Sequence, residues 1–97
     1  MDTSITIVKE PEKFRAAAYD GEKFVGKCTY VVGSDNVWTL DHTIVNPAYG
    51  GKGIAGALVA AVADMARAAG TKIIPQCSYA AAVFARKSEY KDVWEKE

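Results

Sequence analysis

The stretch Asn46-Pro47-Ala48-Tyr49-Gly50-Gly51-Lys52-Gly53-Ile54-Ala55-Gly56-Ala57-Leu58 separates two kinds of periodicity. Before it, apolar side chains alternate as in a strand; after it, they recur as on a helix. Pro47 removes a ladder donor and so closes the strand that precedes it. From Ile54, an apolar stripe continues through Leu58, Val62, Met65, Ala66 and Ala69, with Lys52, Asp64 and Arg67 mostly off it. Gly70 is suited to end that helix in a left-handed conformation. The unit is therefore strand, glycine-rich turn, helix. The first amide hydrogens of a helix have no partner within it, and the aligned peptide dipoles add partial positive charge there. Glycines let backbone approach an anion with no Cβ in the way. Such a turn is either an anion site or only a flexible connection, and taken alone it leaves both readings open. It is not a Walker loop, because the Gly-Lys-Ser/Thr ending is absent. It also lacks the full spacing of a dinucleotide fingerprint.

Upstream, residues 37–45 are rich in β-branched and aromatic side chains and read as a strand. Regular alternation puts Trp38, Leu40, His42 and Ile44 on one face, with Thr39, Asp41 and Thr43 on the other. Gly33-Ser34-Asp35-Asn36 is a turn. Residues 23–32 form a second strand, with Phe24, Cys28, Tyr30 and Val32 sharing one parity. Asp20-Gly21 reads as a hairpin turn. Residues 14–19 give a weaker strand signal, because alanine is a poor strand former. Downstream, residues 71–74 read as a buried strand closed by Pro75, and residues 80–87 as a short helix. Residues 91–97 are a charged end, with Val93 and Trp94 placed against the body. The expected fold is one α+β domain over residues 1–97: an antiparallel meander of three strands, then a β-α-β crossover, right-handed by default.

Composition narrows the setting. With 97 residues, a single domain is the natural expectation. Twelve basic and twelve acidic residues cancel, so no basic excess points to nucleic acid or an anionic membrane. Residues 1–10 are polar and mixed, without the order of a signal peptide. The longest apolar stretch, residues 53–63, is too short to span a bilayer. A cytoplasmic location is the default. Two cysteines, Cys28 and Cys77, are not a disulfide scaffold. One histidine and no Cys-x-x-Cys argue against a transition-metal site.

Several segments together carry a family resemblance. Asp41-His42-Thr43-Ile44-Val45 followed by Gly51-Lys52-Gly53-Ile54-Ala55-Gly56-Ala57-Leu58-Val59 resembles the cofactor motif of GNAT N-acetyltransferases. Lys72-Ile73-Ile74-Pro75-Gln76-Cys77-Ser78-Tyr79 and Arg86-Lys87-Ser88-Glu89-Tyr90 sharpen the likeness toward the compact YjdJ-type branch, over roughly residues 14–94. The resemblance implies a GNAT-type fold that binds acetyl-CoA, with the pyrophosphate on Gly50, Gly51, Lys52, Gly53, Ile54, Ala55 and Gly56. It implies that the strand ending at Ile44 and Val45 runs beside the pantetheine arm, and that the strand at Ile73 and Ile74 splays away to open a slot. The superfamily motif begins with Gln or Arg, and Gly50 stands at that position, so no long side chain braces the loop.

Acetyl transfer to an amine requires loss of an amine proton, stabilisation of the thioester oxygen, and protonation of the departing thiolate. His42 is a candidate base, as histidine side chains often are near neutral pH; its other reading is a packed strand histidine. Cys77 follows a buried strand at the mouth of the expected slot and can take the acetyl group covalently if its thiol is acidified; its other reading is a small packed residue. Asp41 and Tyr79 are lesser candidates, Tyr49 is placed to cover the cofactor, and Cys28 reads as core. The leading expectation is an acetyl-CoA-dependent N-acetyltransferase with an unidentified amine acceptor, acting as monomer or homodimer. The alternative is a non-catalytic CoA or acyl-CoA binding module, because the chain lacks the N-terminal helices that complete the acceptor site in larger relatives. A general phosphate binder would accept ATP as readily as CoA.

Overall fold

The computed structural model describes residues 4–96. Four strands come first: β1 (Ile5–Glu10), β2 (Arg15–Asp20), β3 (Lys23–Val32) and β4 (Trp38–Val45). Helix α1 (Ile54–Ala69), strand β5 (Ile73–Pro75) and helix α2 (Ser78–Arg86) follow. The strands form one five-stranded sheet in sequence order. Pairing is antiparallel from β1 to β4 and parallel between β4 and β5. The meander and the crossover are both present, and the fold is a mixed α+β sheet.

Strand β1 is an addition to the elements expected from sequence. It is an edge strand whose register, from Ile5↔Asp20 to Glu10↔Arg15, is set by β2. Only Ile5 is fully buried in it, so little local patterning marks it. At its end the Glu10 carboxylate accepts 2.7 Å hydrogen bonds from Tyr19 OH and Arg15 Nε. These two bonds, Tyr19 foremost, hold the Glu10 pKa below its ordinary value. The chain then turns through a 3-10 segment, Pro11–Lys13, and through Phe14 in a left-handed conformation (φ 56°). Phe14 thus lies outside β2, and its ring meets Tyr30 edge-on at 6.0 Å.

Helix α1 lies across β1 to β4 and buries Ile54, Leu58, Val59, Val62 and Ala66. The sheet meets it with Ala16, Ala18, Cys28, Tyr30 and Leu40. The alanines that weaken the β2 signal are the small side chains that let the helix sit close. Burying a leucine such as Leu58 contributes about 2 kcal/mol. Tyr30 and Trp38 stack at 4.0 Å beneath the helix. Gly70 ends α1 at φ 69°, and its N–H caps the last turn. At the other side of the core, Phe84 of α2 stacks on Tyr90 at 4.9 Å and meets Trp94 at 6.1 Å. Val93 is buried and Trp94 packs against the core, as the sequence suggested. Arg67 of α1, braced by Asp64 of the same helix, ties this C-terminal segment to α1 through Asp92 and the Glu89 carbonyl. Glu97 lies outside the described residues.

Candidate functional site: a slot between splayed strands and two helix starts

Strands β4 and β5 pair only at Trp38↔Ile73, Thr39↔Ile74 and Leu40↔Pro75. The amides of Gln76 and Cys77 then both donate to the Leu40 carbonyl, at 3.0 and 3.1 Å, and the chain turns into α2. Strand β4 runs on through residues 41–45. About 16 Å of its edge, at 3.3 Å per residue, faces no strand among the described residues. The opening lies beyond Pro75, not at Ile73 and Ile74 as the resemblance implied, because those two residues stay paired with Trp38 and Thr39.

A bulge decides which side chains face it. Tyr30 pairs with Leu40 and Thr29 with His42, so Asp41 is unopposed. One extra residue reverses the parity of everything after it. Thr43, the cross-strand partner of buried Cys28, therefore shares the α1 face with Leu40, and Val45 packs on the core. His42 and Ile44 point away from α1 and are exposed. This corrects the regular alternation, which grouped His42 and Ile44 with Trp38 and Leu40. It also brings Asp41 to the His42 side, because Asp41 accepts a hydrogen bond from Thr29, the partner of His42. The backbone follows the same phase. Asn46 N–H donates to Val25 O at 2.8 Å. By the alternation of an antiparallel ladder, the amides of Ile44 and His42 also point to β3, and those of Thr43 and Val45 point into the slot.

The glycine loop sits at the end of that strand edge. Asn46 caps the amide of Ala48 at 2.9 Å, and Gly50 N–H donates to Pro47 O at 3.1 Å, which turns it back into the loop. Tyr49 OH donates to Asp20 at 2.6 Å, anchoring the loop to the β2–β3 hairpin rather than lying over the helix start. Gly51 and Gly53 have φ of +76° and +79°. Nothing lies within 4 Å of a Cβ at either, so their requirement is conformational rather than steric. Gly53 is the N-cap of α1 and brings no capping side chain. The amides of Ile54, Ala55 and Gly56 thus stand at an uncapped helix start, beside the exposed Lys52. These residues fit a diphosphate: positive φ, no obstructing Cβ and helix-start amides coincide. Replacing Gly53 by alanine is expected to strain the loop by about 1–2 kcal/mol. Chemical denaturation should then show a lower midpoint.

Cys77 is the N-cap of α2 and half-buried. Partial burial works to raise its pKa. The nearby Ala80 amide, the Thr43 hydroxyl and the Tyr79 and Thr43 amides favour the thiolate and outweigh this, leaving the thiol more acidic than an ordinary cysteine. Cys28 is the opposite case. Burial pushes its thiol up to about 12, so it stays protonated. From the first turn of α2, Tyr79 reaches across to α1: a Cβ on Gly56 would stand 3.3 Å from the Tyr79 hydroxyl. The structure therefore brings Cys77, Thr43 and the two helix starts to one side of the slot, and His42 with Asp41 to the other. Sequence reasoning missed Thr43 as a partner of Cys77 and Tyr49 as an anchor. The first depends on the bulge, the second on a contact between residues 29 apart in sequence, and neither leaves a local signal.

Comparison with known proteins agrees with this fold. The family model for the GCN5-related N-acetyl-transferase matches residues 13–93. A solution structure from Staphylococcus aureus, of a protein described there as a candidate GCN5-like N-acetyltransferase, superposes with a TM-score of 0.76 at 28% sequence identity. The match covers 99% of this chain and 93% of that one. No curated protein matches significantly. The family match spans most of the sequence, and the chain belongs to the GCN5-related N-acetyltransferase family.

Proposed function

We propose that this protein transfers the acetyl group of acetyl-CoA to an amine by way of Cys77. The observation that carries the reading is the position of Cys77. It occupies the N-cap position of α2, is acidified there, and stands beside the unpaired edge of β4. The amides from Gly51 to Gly56 and the Lys52 side chain would hold the pyrophosphate, with Gly50 shaping the turn. The Thr43 and Val45 amides would hold the pantetheine arm, with Ile44 between them facing out. Acetyl-CoA supplies an activated acyl group. The Cys77 thiolate attacks its carbonyl carbon, a Cys77 S–C bond forms, and the bond to the CoA sulfur breaks. That sulfur leaves as a thiolate and would take a proton from Tyr79, whose hydroxyl reaches the start of α1 and would recover its proton from water. The amine then attacks the acetyl-cysteine, the S–C bond breaks, and Cys77 returns as a thiolate. His42, with Asp41 beside it, would take the amine proton on the face away from α1. Two faces of one slot would thus separate the acyl donor from the acceptor.

The test combines acetyl-CoA with a panel of small amines and lysine peptides and follows release of free CoA thiol. Amine-dependent release supports the transferase. Saturable acetyl-CoA binding with no release across the panel would favour a binding module instead.

A further inference from the structure

We propose that Thr43 is the positioning residue for Cys77, and that Cys28 behind it completes a hydrogen-bond relay that reverses direction when Cys77 ionises. This rests on the reading of Cys77 as the nucleophile. The Thr43 hydroxyl lies between the two sulfurs, 3.6 Å from Cys77 Sγ and 3.4 Å from Cys28 Sγ. In the resting arrangement the Cys77 S–H donates to Thr43 Oγ1, and the Thr43 hydroxyl donates to Cys28 Sγ. A thiolate at Cys77 has no proton to give and needs donors. Rotation of the Thr43 hydroxyl supplies one. That rotation leaves Thr43 Oγ1 as an acceptor, and the Cys28 S–H is in place to donate to it. No bond is made or broken in the relay itself; the Cys77 proton leaves to solvent.

The relay needs Cys28 to keep its proton while Cys77 loses one, and their surroundings differ in that sense. Cys28 is fully buried between β2 and β4, opposite Ala16 and Thr43. Cys77 sits at the N-cap position of a nine-residue helix, where the nearby Tyr79 and Ala80 amides favour its thiolate. The ionisable neighbours of the cluster are few. Strand β4 brings Asp41, whose charge further discourages ionisation of Cys28, and α2 brings Tyr79. His42 opens on the other face. The start of α1, Ile54 to Ala61, and all of β5 carry no ionisable side chain. Burial of Cys28 beside a threonine, rather than a further aliphatic pair, is what the relay accounts for.

The experiment is the pH profile of Cys77 alkylation by iodoacetamide, resolved by site with mass spectrometry, in the full chain. The wild type should react with a midpoint below the ordinary thiol value of about 8.5. Thr43→Val removes the hydroxyl at nearly constant shape and should raise the midpoint by about one pH unit. Thr43→Ser, which restores the hydroxyl, should return it close to wild type. Cys28→Ala should raise it by a smaller amount and keeps the test available if Thr43→Val does not fold. An unmoved midpoint in both Thr43→Val and Cys28→Ala overturns the relay while leaving the nucleophile standing. A shift in Thr43→Ser as large as in Thr43→Val overturns it too, since packing rather than the hydroxyl would then be responsible. A wild-type midpoint at the ordinary thiol value sinks the nucleophile reading and the relay together.

Discussion

Replacing Cys77 by alanine is expected to abolish the acetyl adduct that forms on mixing with acetyl-CoA and to slow amine acetylation on the order of 1,000-fold. Both effects follow from one geometry. The Ala80 and Tyr79 amides at the start of α2 and Thr43 from β4 lower the Cys77 pKa, and on the proposed reading this raises the thiolate fraction available for attack. Alanine removes the attacking atom but leaves the loop, the strand edge and the amides in place. Binding of acetyl-CoA should therefore change little, and the loss should fall on turnover. Cys77→Ser offers a second reading of the same point. A serine hydroxyl fits the cap but does not ionise there, so turnover should remain nearly as low. Intact-protein mass spectrometry and a CoA-release assay check the two halves. Undiminished turnover in Cys77→Ala would mean that the amine attacks the thioester directly.

Replacing Phe84 by alanine is expected to cost about 3–5 kcal/mol of stability, a large share of the roughly 5–15 kcal/mol available to a domain of this kind. Phe84 is 1% exposed. It stacks on Tyr90 and is met edge-on by Trp94, and Val83 and Ala80 of the same helix are buried beside it. This cluster docks α2 and the C-terminal segment on the core, and so fixes the helix start that carries Cys77. The consequence reaches function: as α2 loosens, the Tyr79 and Ala80 amides leave the sulfur and its reactivity should fall toward that of an ordinary thiol. Urea unfolding gives the first quantity and the alkylation profile of Cys77 the second. A loss below 1 kcal/mol would mean that the ring cluster does not anchor the helix.

The parts of this molecule that were legible in sequence are those encoded by nearest neighbours. The Pro47 strand end, the glycine-rich turn, the α1 stripe from Ile54 and the Gly70 cap all depend on residues within a turn of one another, and the structure has them. The helix after Cys77 was placed within two residues of its start. Strand β1 was not legible because an edge strand is defined by the partner that pairs with it, here β2. The bulge at Asp41 was not legible for a related reason: it is a mismatch between two strands, and Trp38 to Val45 alternate as evenly as any regular strand. That single mismatch changes the site most. It turns Thr43 rather than His42 toward Cys77, and it gathers Asp41 and His42 on the opposite face. The strand, loop and helix that border the slot were thus readable from sequence, but not which side chains face each of its two sides.

The most direct test of the account is a map of amide chemical shifts during titration with acetyl-CoA. Saturable shifts should appear at Gly51 to Gly56, at Thr43 and Val45, and at Tyr79 and Ala80, and ATP at equal concentration should not reproduce those along β4. Absence of saturable shifts, or shifts that leave the loop and the β4 edge untouched, would contradict the assignment of this slot to CoA.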